Sequence, residues 1–273
     1  MSLLKTEILS LNPPLYWTGE DAFGTNHLTN QGTVGAPGNA AINGDPTLGV
    51  ISLTADGGET SIFQSGNQAS EGWSAGHQTS VQIGATDPFT IFAAFQALSV
   101  PTRSVFLVAQ GQVNAFGGMS LQSTPSGVIQ ATISDVNAHI TNLIAPPLVT
   151  DNTRRLASFV RSTSTGRLLL YVDGALILNV PDVTAGNVVS QAGSVNVVGN
   201  RQNLDLGWVG MLGHAFITKT EIGGIEQAVL FNKFWNGTPP PAPFSAQQII
   251  VSGSTLGLTD LPLILQSVRR TFP

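Results

Sequence analysis

The 273-residue sequence contains no cysteine. That excludes disulfides, thiolate metal sites and cysteine nucleophiles, and it leaves the redox compartment open. Charge is scarce too. Lys and Arg number 11 and Asp and Glu 16, together 10% of the chain, against roughly 25% in an ordinary globular protein. The net charge is −5, and the only basic pairs, Arg154-Arg155 and Arg269-Arg270, make no stripe. No nucleic-acid partner is expected. No apolar run approaches the ~20 residues of a membrane span. The opening MSLLKTEILSLNPP lacks the continuous apolar core and cleavage site of a signal peptide. The expectation is a protein made in the cytosol and used there, or built into a particle there, without a membrane partner. Gly, Ser, Thr, Asn and Gln stand where charges would be. Such a surface suits burial in an assembly and equally suits an extracellular β-protein.

What is present is β patterning. Arg155–Val180, RLASFVRSTSTGRLLLYVDGALILNV, holds three apolar runs, Leu156–Val160, Leu168–Val172 and Ala175–Val180. Ser162–Gly166 separates the first two, and Asp173-Gly174 the last two. An Asp-Gly pair between β-formers marks a tight hairpin, since both residues tolerate positive φ. Phe89–Phe95 alternates, with Phe89, Ile91, Ala93 and Phe95 on one face. Further strands are expected at Val50–Leu53, Ser61–Phe63, Thr79–Ile83, Val105–Ala109, Met119–Gln122, Val128–Ile133, Ile140–Ile144 and Ser194–Val198.

Two helices are expected. Leu4, Ile8 and Leu11 share one face of a short N-terminal helix that Asn12-Pro13-Pro14 stops. Thr218 and Glu221 match a capping box opening a second, with Ile222, Ile225, Val229 and Ala228 on its inner face. Asn236-Gly237 and Pro239-Pro240-Pro241 end it.

The run LASFVRSTSTGRLLLYVDG resembles the central strands of the laminin-G-like, concanavalin A-like jelly roll. FTIFAAF, VNVVGNRQNLDLGWVGMLG and PLYWTGEDAFGTNHLTNQG resemble other segments of the same family. The resemblance implies an all-β, two-sheet antiparallel jelly-roll sandwich with one short closing helix and N- and C-terminal arms. The domains read as an arm at 1–14, the jelly roll at 15–236, and a Pro-rich spacer with an apolar arm at 237–273.

Members of this fold that cut β-glucans carry Glu-x-Asp-x-Glu on one strand. The six Glu here, Glu7, Glu20, Glu59, Glu71, Glu221 and Glu226, form no such pattern. Glu20-Asp21 are adjacent and would point to opposite faces of a strand. His27, His77, His139 and His214 have no metal-ligand spacing. Met119-Ser120 after Gly117-Gly118 lacks the closing glycine of a nucleophile elbow. The protein is therefore expected to be no enzyme and to need no cofactor. Relatives sometimes hold Ca²⁺ at the sandwich rim, and Asp135, Asn200 and Asp205 fall in loops that reach one rim. No compact acidic loop supports the cation, and the two Asp read as turn caps.

Two functional readings remain. In the first, the chain is a structural subunit of a large assembly, a virion component such as a capsid decoration or tail protein. It would be a homo-oligomer made in the host cytoplasm and would contact other capsid or tail proteins. The arms would supply the contacts through Leu4, Ile8, Leu11, Leu261, Leu263, Ile264, Leu265 and Val268, unless they fold back on their own sandwich. In the second, it is a lectin-like module binding surface glycans. Trp73, in a polar stretch with Glu71 and His77, is then the aromatic to test. Trp208 matches the family's core aromatic, and Trp235 is expected to pack at the end of the second helix.

Overall fold

A computed structural model describes residues 1–235, apart from 23, 45, 65–71, 77, 79–80, 102, 113–116, 148–151, 189–195 and 201–208. The chain divides into Met1–Thr238 and Pro239–Pro273, and the described residues belong to the first unit.

The elements run α1 (Leu3–Ser10), β1 (Leu15–Thr18), β2 (His27–Leu28), β3 (Ala40–Asn43), β4 (Thr47–Val50), β5 (Ser61–Gln64), β6 (Gly72–Ala75), β7 (Phe89–Ala97), β8 (Val105–Gln112) and β9 (Gly117–Ser123). They continue with β10 (Val128–Ser134), β11 (Ile140–Pro147), β12 (Arg154–Ser162), β13 (Arg167–Val172), β14 (Ala175–Pro181), β15 (Asn196–Asn200), β16 (Gly210–Thr218) and α2 (Gly224–Phe234). They form two eight-stranded antiparallel sheets. Sheet A has the order β14-β13-β12-β7-β16-β5-β4, with β1 also on β16; sheet B has the order β11-β10-β9-β8-β15-β6-β3-β2. The fold is the expected jelly-roll sandwich.

The meander is the clearest case of local sequence setting local structure. β12 pairs with β13 and β13 with β14, the latter with one register shift between Leu170 and Tyr171; Ala157 stands opposite Val172 and Val172 opposite Ala175. Asp173 (φ 51°) and Gly174 (φ 76°) supply the positive angles of the two-residue turn. Asp173 does more than turn. Its carboxylate accepts from the Leu156 N–H at 3.0 Å and from the buried Arg155 guanidinium at 2.6 Å. A side chain at Gly174 would run into Phe231 of α2.

Both faces of β7 are buried. Phe89, Ile91, Ala93 and Phe95 point into the core between the sheets, where Phe89 meets Phe159 edge-on at 5.2 Å. Phe92 and Ala94 point outward and are covered by the helices. Phe92 stacks on Phe216 at 4.8 Å, beside Leu4 and Ile8 of α1 and Leu230 and Phe234 of α2. Covering each of these side chains contributes roughly 1.5–3 kcal/mol.

This layer corrects one expectation. Leu4 and Ile8 are fully buried against their own chain and cannot meet a neighbouring subunit; Leu11 is half-buried on the same layer. α1 is pinned at its start. Ser2 caps it by accepting from Lys5 N–H at 3.0 Å, Leu3 N–H donates to Asp56 at 2.8 Å, and Ser2 N–H donates to Glu59. Carboxylates at a helix N-terminus are favourable. Leu261, Leu263, Ile264, Leu265 and Val268 lie outside the described residues.

α2 also differs from expectation. Thr218 still belongs to β16, opposite Thr90, so the ladder claims it before any cap forms. The helix starts at Gly224 with Gly223 as N-cap and no side-chain cap. Its buried face is therefore Gln227, Leu230 and Phe234, and Ile225 is 81% exposed. Thr79–Ile83 is not a strand where described, although Val81 and Ile83 are buried in the core. β4 lies three residues earlier than expected, leaving Leu53 buried beyond it.

Candidate functional site

The aromatic of the expected site is not at the surface. Trp73 sits on β6, opposite Ile42 and Val198, and its indole is buried in the core at 2% exposure. The alternation of a strand turns it inward, away from any ligand. Glu71 and His77 lie outside the described residues, as does Trp208. Trp235 is half-buried and meets Phe234 edge-on at 5.3 Å. Among the described residues no Phe, Tyr or Trp is exposed.

An open trough of about 520 Å³ lies instead at one end of the sandwich. Its position follows from the pairing of β1 with β16. Leu15 stands opposite Ile217, so the chain entering β1 and the chain leaving β16 emerge side by side. A third wall is pinned to the first by Thr33 N–H to Pro13 C=O (3.0 Å) and Val34 N–H to Pro14 C=O (3.2 Å). Gly32 permits that approach, since a Cβ there would lie 2.4 Å from the Pro13 oxygen. Gln78 ties in the last wall by donating to Pro37 C=O at 2.5 Å.

Asn12, Thr33, Gln78 and Thr220 line the trough with amides and hydroxyls, and Pro14, Val34 and Pro37 give it apolar flanks. Lys219 is the one charged group among its described lining residues and pairs with Asp87 at 2.7 Å. The hydrogen bond from Lys219, with that from Gly84 N–H, holds the Asp87 carboxyl below its usual range. The trough thus offers neutral donors and acceptors and one ammonium. Among the described residues no carboxylate lines it, whereas sugar hydrolysis uses a facing pair of acids.

Two buried clusters of titratable groups are committed to structure. The Tyr16 hydroxyl lies 2.7 Å from His214 Nδ1, and His214 Nε2 faces Glu59 at 3.8 Å. Burial pushes the His214 imidazole down to about 4 and, with Glu59 and Glu20, raises the Tyr16 hydroxyl. Burial favours the neutral ring, and the tautomer that accepts from the Tyr16 hydroxyl at Nδ1 presents its N–H on the side of Glu59. All three side chains are sealed beneath α1. Sequence reasoning missed this trio because its members come from distant parts of the chain.

Asp135 is likewise buried. Its oxygens accept from the N–H groups of Asn137, His139, Ala185 and Gly186 and from His139 Nδ1. Burial opposes ionisation, but these bonds outweigh it and hold the carboxyl well below the usual range. A carboxylate so fully engaged organises its loops and has nothing left for a cation. Asp205 is outside the described residues, and Asn200 closes β15. Among the described residues no three His, Asp or Glu converge as a metal site.

No family model matches the chain, and no curated protein matches it. Solved structures do. The binding domain of Paraclostridial Mosquitocidal Protein 1 superposes with a TM-score of 0.62 at 14% identity, covering 83% of this chain and 53% of that one. The botulinum neurotoxin serotype D binding domain gives 0.60 at 13%, covering 81% and 50%. The serotype D ligand binding domain in complex with N-acetylneuraminic acid gives 0.59 at 11%, covering 85% and 52%. The likeness is one of fold. The chain spans about half the length of these domains. No described helix is long and apolar enough to cross a membrane.

The trough residues carried a weak signal in the sequence. Asn12-Pro13-Pro14 and Gly35-Ala36-Pro37-Gly38 are evident chain breakers. Nothing local says that these two breaks meet.

Proposed function

We propose that this chain is a non-catalytic recognition module that binds surface glycans. The observation that carries the reading is the trough, an open site lined by neutral amides and hydroxyls over proline and valine flanks. Sugars present that mixture of hydroxyls and C–H faces. The fold likeness to toxin binding domains, one of them in complex with N-acetylneuraminic acid, supports it, as does the resemblance to laminin-G-like and concanavalin A-like domains. Trp73 has no part in it.

The test is glycan-array binding followed by saturation-transfer NMR on any hit, with Thr33→Trp as the blocking variant. Thr33 is exposed, so the indole fills the trough without entering the core. Binding should weaken at least about tenfold, or 1.4 kcal/mol, with the melting temperature unchanged. Failure of the full chain to bind any glycan would end the reading.

A second reading, a structural subunit of a virion or similar particle, rests on another observation. No strand of sheet B contains a Lys, Arg, Asp or Glu, so that sheet can be covered by a partner without stripping ions of water. Mass spectrometry of particles sedimented from cells making the chain tests it; particles that lack the chain rule it out.

A further inference from the structure

A sheet edge left open is a template for another strand, and proteins blunt such edges with short strands, irregularities, charge or proline. Among the described residues five strands have a single strand partner; a loop covers the free side of β1, where Tyr16 bonds Asn30 and Gln31, and three of the other four are blunted. β2 has two residues. β4 has four, with irregular register and Gly49 at φ 72°. Along β14, Arg167 lays its guanidinium on Asn179, at 2.6 Å from the side-chain oxygen and 2.9 Å from the backbone oxygen.

β11 is protected only at its C-terminal end, where the register shifts between Ile144 and Pro147. It runs for eight residues and among the described residues pairs only with β10. From Ile140 to Ile144 its register is regular. Neither β11 nor β10 carries a charged residue. Ile140 is 41% and Ile144 56% exposed, and Asn142 between them is exposed. Pro146 and Pro147, which lack an N–H, end the usable edge.

We propose that β11 is a self-association edge, where the same strand of a second copy adds antiparallel and continues sheet B across a two-fold axis. The sequence is self-complementary about Asn142. Ile140 then opposes Ile144 of the second copy in both directions, a β-branched pair of the kind that stabilises sheets. Asn142 opposes its own counterpart, amide to amide. A charge near the centre would meet its like across the axis, and the strand has none. A different chain would need its own matching edge; this one already matches itself.

Sedimentation equilibrium of the full chain across a concentration series should show a reversible dimer. Ile144→Lys should weaken it at least about tenfold by placing a charge in the pairing, while the melting temperature read at a concentration where both proteins are monomeric stays unchanged, because Ile144 faces solvent. The absence of native cysteine permits a stricter test. Directly opposed residues of an antiparallel pair have Cα atoms about 5 Å apart, within reach of a disulfide. Asn142→Cys should therefore link to itself on mild oxidation. Ile140→Cys and Ile144→Cys should each fail alone but link when mixed. A monomer at every concentration overturns the proposal. So does a dimer indifferent to Ile144→Lys, or one whose cysteine variants link in another pattern.

Discussion

The two sheets carry their polar groups differently. Sheet A carries all the Lys, Arg, Asp and Glu found on described strands, and all are arginine: Arg154, Arg155, Arg161 and Arg167 on β12 and β13. Two of these are buried and act as fasteners: Arg155 to Asp173, and Arg161 to Asp182 at 2.6 Å. Its outer face lies under α1 and α2. Sheet B has no such charge. Its outer polarity comes from neutral rungs, with Thr132 donating to Asn142 at 2.8 Å and Gln130 to Asn142 at 3.0 Å. The difference shows where a chain with few charges spends them: on internal ties that close one layer, leaving the other layer neutral. A neutral face loses less on being covered than an ionised one.

The largest effect expected from this contrast is at Arg161. It is 3% exposed, pairs with Asp182, and donates to the carbonyls of Gly84, Ala85 and Asp87 and to the Thr184 hydroxyl. Arg161→Ala removes the counter-ion of the nearly buried Asp182, which keeps only its bonds from Thr184, and leaves several carbonyl acceptors unpaired at once. Denaturant unfolding should show a loss of about 3–5 kcal/mol. A loss below about 1 kcal/mol would mean that the ties of sheet A are ornamental, and the contrast would fail.

The next largest is a pH effect, again on the sheet A side. Burial holds His214 at about 4, partly opposed by Glu20 and reinforced by Lys5. Its unfolded value is near 6.5. Between the two the unfolded chain takes up a proton that the folded one refuses, so stability falls as pH falls and levels off below about 4. The expected span is about 3 kcal/mol. His214→Asn should flatten the curve over that window. Asp56, Asp87 and Asp135 act below this window, losing their contribution under the ordinary Asp value of 3.8, whereas Glu20, also lowered, begins to lose its own below 4.5 and adds to the acid end of the fall.

How far the sequence could be read follows the same division. The β12–β14 meander was legible because each reversal is announced by its own residues: Asp173-Gly174 needs nothing from the rest of the chain. Phe89–Phe95 was legible as a strand, but its second buried face was not, because that depends on helices folding back over it. Leu4 and Ile8 were recognised as a stripe in need of a cover, and only the fold shows that Phe92, Phe216 and Tyr16 supply it. Thr218 and Glu221 misled because a cap and a strand end compete for the same threonine, and pairing with Thr90 decides it. Trp73 misled because a short strand between polar stretches looks like a loop. The trough was out of reach, since its walls meet only through a pairing of residues about two hundred positions apart.

The smallest effect is expected on sheet B. Gln130 is half-exposed and donates to Thr132 and Asn142 at 3.2 and 3.0 Å. Gln130→Ala removes both bonds but orphans nothing buried. Asn142 keeps its bond from Thr132, and its exposed oxygen can take water instead. The loss in denaturant unfolding should stay within about 0.5 kcal/mol, as for other surface changes. A neutral rung that cheap to remove is held for its surface chemistry rather than for stability. If Gln130→Ala cost as much as a buried ion pair, the rungs would be fasteners like the arginines, and sheet B would lose its claim to be the face kept free for a partner.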